Sequence, residues 1–391
     1  MGVTANGPPQ QPGFTWRNTS SMLIGLSVAV SKGFLYGLNK VETIGLERFV
    51  ELLDQRRDVQ KRTKGLITVS NHISIIDDPL IWGVLPLKYS FNQSNLRWSL
   101  AAHDICFQNP VLTTFFNLGK TLPTYRFRHS PYGGLFQPTM SDAIRLLSSE
   151  QHGLKYLIPP PPPPSPSGDH PTTSGIPLQY PPAPSDPGSP TPSYRPWDRH
   201  GWVHIFPEAC VHQHPERALR YFKWGVARLV LESGPEPPDV VPMFIDGTDR
   251  VMHEDRGFPR FLPRIGRRVR VVFGEPLDFD LAFGDLKRKW DALVAEAAAA
   301  AASRAAAADS SRRWIVPFPA EPVDLEHGDE ARAIRVEVAK RIRDEVLKLR
   351  RGLGYPDQDP KMGLAETWAR EPGVGYTYKS HVDGSKVNEK L

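Results

Sequence analysis

The chain has 391 residues, room for two or three domains of ordinary size. Its 40% hydrophobic and 23% charged content excludes disorder over the whole length, and a formal charge of +5 suits a membrane surface but falls short of a nucleic-acid footprint. Two cysteines, Cys106 and Cys210, cannot make a disulfide framework and read as free thiols, and of 40 prolines sixteen fall between Pro159 and Pro196, a stretch that cannot pack a core.

The first acidic residue is Glu42, and before it only Arg17, Lys32 and Lys40 carry side-chain charge. Neither a cleaved presequence nor a secretory signal fits this start. The uncharged run from Asn18 to Ser31 is too short to span a bilayer, and Lys32 interrupts it. Residues 1–39 therefore predict an interfacial or re-entrant helix, although an ordinary buried helix has the same periodicity.

Residues 47–63 read as a charged surface helix. GLITVSNH (65–72) follows as a buried strand that delivers its last polar residues into a loop. In DDPLIWGVLP, Asp78 can cap a helix with Pro79 at its first position, where the missing N–H costs nothing. RWSLAAHDIC reads as a strand or strand-to-helix run, PVLTTFFNLG as a helix ending at Gly119, and PTMSDAIRLLSSEQHG as a helix with a glycine stop. Beyond the proline block, WVHIFPEA is a strand and RALRYFKWGVARLVLESG a helix. DVVPMFIDG and RRVRVVFGEP are two further strands.

Strands alternating with helices predict an α/β fold with a sheet flanked by helices. The proline block at 159–196 falls between a helix and the next strand, so it interrupts one domain, 40–280, rather than separating two. Residues 281–354 predict a helical extension with an alanine-rich stretch, and 355–391 a polar, mobile tail.

His72 and Asp77 are spaced H-x-x-x-x-D, a spacing common by chance. On one continuous helix the two side chains would stand about 140° apart and never touch. They become a pair only if the backbone turns between them, which the strand-to-cap boundary provides. An imidazole held by a carboxylate is a general base for a hydroxyl; the same residues also fit a plain helix cap beside a loop histidine.

In FPEACVHQH, Glu208 at a strand end could bind a substrate hydroxyl or simply form a turn. Cys210, His212 and His214 alternate, but no second ligand pair accompanies them at a metal-site spacing, and no metal is expected. Arg126, after the strand in GKTLPTYR, suits a phosphate or the open surface. From Arg256 to Arg270 there are six arginines and no acid, which fits anionic lipid headgroups or a solvated basic face. Leu219, Phe222, Val226, Leu229 and Val230 form one helical stripe beside Trp224, and basic charge with aromatic residues there suits a membrane interface as well as a packed core.

In this order, VSKGFLYGLNKVE, NHISIIDDPLIWGVLP, LRWSLAAHDICF, FFNLGKTLPTYR, FPEACVHQHPERALRYFKWGVARLVLE and VVPMFIDGTDRVM resemble the glycerolipid acyltransferase superfamily, over residues 15–158 and 197–280. Within it they are most similar to the cardiolipin-remodelling transacylases. The resemblance implies CoA-independent exchange of acyl chains between phospholipids and lysophospholipids, with cardiolipin and monolysocardiolipin as substrates and no cofactor. It also implies monotopic association with mitochondrial inner and outer membranes, facing the intermembrane space. By the same resemblance His72 and Asp77 are catalytic, while Gly119 and Arg126, with Phe206, Pro207 and Glu208, bind the glycerophosphate. Ala209 stands where the family usually has Gly, and it would be strained if that position needs positive φ. An acyl-CoA-dependent lysophospholipid acyltransferase has the same base and hydroxyl. A membrane scaffold using the proline block as a partner ligand is the reading from another class.

Overall fold

Short runs of β-branched and aliphatic residues, bounded by glycine, proline and polar residues, build the sheet that positions everything else. In chain order the strands are β1 (Lys40–Ile44), β2 (Leu66–Val69), β3 (Arg97–Ala102), β4 (Thr121–Thr124), β5 (Trp202–Ile205), β6 (Val211–Gln213), β7 (Asp239–Asp246), β8 (Arg268–Phe273), β9 (Thr377–Lys379) and β10 (Lys386–Asn388). The helices are α1 (Phe14–Leu38), α2 (Leu46–Gln55), α3 (Asp77–Ile81), α4 (His103–Cys106), α5 (Pro110–Leu118), α6 (Pro138–Leu147), α7 (Gly225–Leu231), α8 (Thr248–Val251), α9 (Phe279–Asp309) and α10 (Asp329–Gly352). The computed structural model describes residues 13–126, 130, 133–148, 199–309, 323–372 and 376–389, so the proline block at 159–196 lies outside the described residues.

The expected α/β core forms. Seven strands run in the order β1-β8-β7-β2-β5-β3-β4, and β7, β2, β5, β3 and β4 are mutually parallel. β8 runs antiparallel to β7, and β1 follows β8. β2 and β5 are buried along their whole length, as parallel strands covered on both faces must be. Alternate residues serve opposite layers. Leu66, Trp202 and Val241 pack with Leu35 of α1 and Phe49 of α2. Ile67, Val203 and Val240 pack with α6, α7, α9 and α10. The helical extension is thus part of the main core, through Phe283, Trp290, Ile342 and Val346.

The two sides of the proline block meet. His200 N–H donates to Ser148 O (3.1 Å) and Gly201 N–H to Leu146 O (2.6 Å). Arg56 then donates to both Lys64 O (2.7 Å) and His200 O (2.6 Å), fastening this junction to the loop before β2.

Two expectations are corrected. The helix expected from 217 is the shorter α7, and Leu219, Phe222, Val226, Leu229 and Val230 are core residues that no membrane can reach, while the half-buried Trp224 packs against the same cluster. The apolar stripe is equally suited to a core, and Arg217 and Arg228 beside it are buried too, Arg217 against Asp246 and Asp249 and Arg228 against Glu232. The tail after Tyr355, expected to be mobile, folds back instead: β10 pairs antiparallel with β6 and with β9, burying Tyr378 and Val387 against Cys210. Its strands TYK and KVN are too short and polar to carry a period of two, and they form because β6 offers an edge. Lys32, which interrupts the uncharged run, sits within the N-terminal helix. Its ammonium donates to Gly83 O and Leu85 O (both 3.3 Å), so α1 continues to Leu38.

α1 lies against the domain by a face of Ser20, Ile24, Gly25, Val28, Ser31 and Leu35. Ser20 donates to Leu118 O (2.6 Å) and Ser31 to Pro79 O (2.9 Å). Gly83 permits the close approach, since a Cβ there would stand 2.8 Å from Lys32 N. The opposite face exposes Met22, Leu26 and Val30.

Because the junction is closed by its own hydrogen bonds, removing residues 159–196 is expected to leave the fold intact. Circular dichroism of the deletion variant should show the same helical signal and a thermal midpoint within a few degrees of the parent; loss of the cooperative transition would contradict a closed junction.

Candidate active site

The parallel strands deliver their C-terminal ends to one edge of the sheet, where α/β domains place their chemistry. β2 ends at Val69. Ser70 N–H still reaches Ile205 O (3.3 Å), and the Asn71 amide brackets Ile245 of β7, donating to its carbonyl (2.9 Å) and accepting from its N–H (2.8 Å). The chain therefore leaves the sheet at His72.

Between His72 and α3 the backbone wraps around one carboxylate. Asp77 Oδ2 accepts from His72 Nδ1 (2.9 Å), Ile73 N–H (2.7 Å) and Ser74 N–H (2.8 Å), while Oδ1 accepts from the Thr248 hydroxyl. Asp77 is fully buried. With Nδ1 committed to an acceptor, the neutral imidazole carries its proton there and presents the Nε2 lone pair, which has no hydrogen-bond partner among the described residues. The Phe206 ring stacks on the imidazole at 4.3 Å and fixes its plane. The helix starts at Asp77, two residues before Pro79, the first helical position expected with Asp78 as cap. Asp78 instead binds Arg97 (2.8 Å), Ser99 (2.9 Å) and Trp82 (3.0 Å). Burial pushes the Asp78 carboxyl up, but Arg97 and these hydrogen bonds outweigh it and hold it below its ordinary range.

Glu208 is placed beside His72. Oε1 accepts the His72 backbone N–H (3.0 Å) and Oε2 that of Arg220 (3.0 Å), so it positions the loop, with one acceptor site on each oxygen taken. Pro207 is buried, its carbonyl accepting Lys223 N–H (2.8 Å). The turn closes with Ala209 N–H on Phe206 O (3.0 Å) and Ala209 at φ +52°, the left-handed conformation that favours glycine.

Gly119 does not join the site. It caps α5 at the start of β4, the opposite edge of the sheet from His72, with an ordinary φ of −75°. Arg126 follows β4 on the correct edge, three strands along from β2 in the sheet order, roughly 14 Å at ordinary strand spacing. Its guanidinium forks onto Asp104 and reaches Glu389 O, so the phosphate role expected of it would need that pair to open.

Sequence reasoning missed Thr248, Asn71 and the His212–Asp383 pair. His212 N–H donates to His72 O (2.8 Å), and its Nε2 meets Asp383 Oδ2 at 2.9 Å while Nδ1 lies 3.6 Å from Glu208. Burial alone would push the His212 imidazole down, but Asp383 and Glu208 together raise it, and the His212–Asp383 contact ties the tail to the loop that carries His72. Nothing local in the sequence links 212 to 383 or 77 to 248.

The sequence has counterparts among known proteins. A family model described as Acyltransferase matches residues 48–154, which includes His72 and Asp77. A tafazzin from Saccharomyces cerevisiae is 33% identical over 91% of this chain and 84% of its own length. The chain belongs to the tafazzin family. A Drosophila melanogaster tafazzin is 32% identical over 72% of this chain and 57% of its own, and an Arabidopsis thaliana N-acylphosphatidylethanolamine synthase is 32% identical over 57% and 60%. This tafazzin-family member is an O-acyltransferase acting on phospholipids or lysophospholipids.

Two expectations follow. Ala209→Gly releases the left-handed strain, about 1–2 kcal/mol, against a gain in unfolded-chain entropy of about 0.4–1 kcal/mol. A net stabilisation of about 0.5–1 kcal/mol should appear in urea unfolding, and a destabilised variant would contradict the strain. His204, under the site and bonded to Thr68 (2.8 Å), is pushed down to about 3 by burial. The folded chain therefore refuses a proton that the unfolded chain accepts below about pH 6.5, so stability falls as pH drops from there toward 3. His204→Gln should flatten that part of the urea-midpoint profile.

Proposed function

We propose that this chain is a CoA-independent phospholipid–lysophospholipid transacylase that remodels cardiolipin from monolysocardiolipin, with His72 as general base and Asp77 as the carboxylate that orients it. The observation that carries the mechanism is the Asp77 carboxylate gripping His72 Nδ1 and two successive backbone N–H groups, which leaves Nε2 as the nitrogen available to a substrate. Nε2 takes the proton from the free glycerol hydroxyl of the lysolipid as that oxygen attacks the ester carbonyl of the donor. The Asp77 carboxylate stabilises the imidazolium that forms. The proton then passes to the departing lysolipid oxygen, and one ester has replaced another. The exchange is nearly thermoneutral and uses no thioester.

The tafazzin relatives support the substrate class, and with it monotopic association with mitochondrial membranes on the side facing the intermembrane space. The exposed Met22, Leu26 and Val30 on α1 support a helix that lies in the lipid interface along one side of the domain.

The test is mass-resolved exchange between labelled phosphatidylcholine and monolysocardiolipin with no CoA present. The parent should transfer acyl chains, and His72→Ala should lower the rate about 10²- to 10⁴-fold or more while vesicle binding stays unchanged. Undiminished exchange in His72→Ala would remove the assignment. Activity only on addition of acyl-CoA would move the chain to the thioester-dependent class.

A further inference from the structure

The arginine-rich stretch after α8 is not absorbed by the acyl-transfer chemistry, and its shape is specific. Phe258, Phe261 and Ile265 are 93%, 76% and 60% exposed, and Leu262 beside them is also open. Side chains of this kind are not left in water without a partner when they cluster on one loop. The loop is nonetheless ordered from within. Arg256 donates to His253 O (2.7 Å) and Arg260 O, Arg260 to Glu254 O (2.7 Å), and Arg264 to Gly257 O (2.5 Å).

Among the described residues Arg256, Arg260, Arg264 and Arg267 enter no ion pair; Asp255 at the base is taken by Lys386 (2.8 Å) and Glu42 by Arg268 (2.6 Å). The loop is thus a set of apolar tips interleaved with cations that enter no ion pair. Its position joins two features already described. Gly266 N–H donates to Leu38 O (2.8 Å) and Arg267 N–H to Asn39 (2.9 Å), which makes it continuous with the end of α1. At its other end Met252 O accepts from Ser74 (3.2 Å), and Glu254 N–H reaches Gln213, whose amide holds Ile73 O (2.8 Å).

We propose that residues 256–268 are a membrane-insertion loop. Phe258, Phe261, Leu262 and Ile265 enter the acyl region of an anionic phospholipid bilayer, and the arginines bind headgroup phosphates around them. Arginine's planar fork pairs with phosphate, and aromatic and aliphatic tips bury in the headgroup–acyl boundary. A protein groove would have to match both an apolar wedge and four scattered cations; a bilayer offers both at every point. Because the base of the loop is tied to the Ser74 hydroxyl through Met252 O and to Ile73 O through the Gln213 side chain, insertion fixes the mouth of the His72 site at the lipid surface. The proposal rests on the reading that the substrates are bilayer lipids.

The experiment uses the full chain in flotation with phosphatidylcholine vesicles, with and without phosphatidylglycerol, beside acyl exchange between dissolved short-chain phospholipids. The variant Phe258→Ser/Phe261→Ser/Ile265→Ser should bind all vesicles at least about ten-fold more weakly. Arg260→Gln/Arg264→Gln should lose about five-fold per arginine on phosphatidylglycerol vesicles only, with a shallower salt dependence. Both should keep short-chain exchange. Unchanged flotation of either variant overturns the proposal, as does a loss of self-association in the serine variant with vesicle binding intact, which would assign the face to a second copy. Should the serine variant fail to fold, the arginine pair on the surface decides. A parent that exchanges no short chains defeats the functional reading alone, since flotation still judges the loop.

Discussion

One buried carboxylate organises the active edge of this protein. Asp77 gathers an imidazole, two backbone amides and a hydroxyl, and each partner comes from a different requirement. The amides of Ile73 and Ser74 need an acceptor because the chain has just left the sheet and has no ladder to bond to. The imidazole needs an anchor to hold its tautomer. The Thr248 hydroxyl, following β7, ties the cluster to the neighbouring strand, so the loop cannot drift from the sheet. Removing the carboxylate would leave four donors unsatisfied where water has little access.

Around that centre the remaining polar groups are occupied in holding the loop. Glu208 accepts the His72 and Arg220 amides, His212 holds the His72 carbonyl, and Asp383 reaches back from the C-terminal segment to His212. The tail is therefore a component of the site's support. Arg126 is likewise held, by Asp104 and Glu389 O.

The exposed apolar side follows from what the core leaves uncovered. The aromatic helix that looked suited to a membrane is consumed by the core, while α1 and the loop after α8, which meet at Leu38 and Gly266, keep apolar side chains outside. Both residue sets are apolar with basic neighbours. Composition treats them alike, and only packing against the sheet separates them.

Taken alone, the sequence determined the α/β alternation, the strand-to-helix turn at His72, and the strain expected at Ala209. These are readable because they depend on local propensity, periodicity and turn chemistry, which act within a few residues. Only the tertiary structure decided that Gly119 lies on the far edge, that Glu208 is a support, that the stripe from Leu219 to Val230 is core, and that the tail folds onto β6. The pairings 77 with 248, 212 with 383 and 148 with 200 are set by strand order and by which surfaces are already covered. A hydrogen bond across such distances in the chain leaves no local pattern, because each partner needs only to be polar and to arrive at the right place.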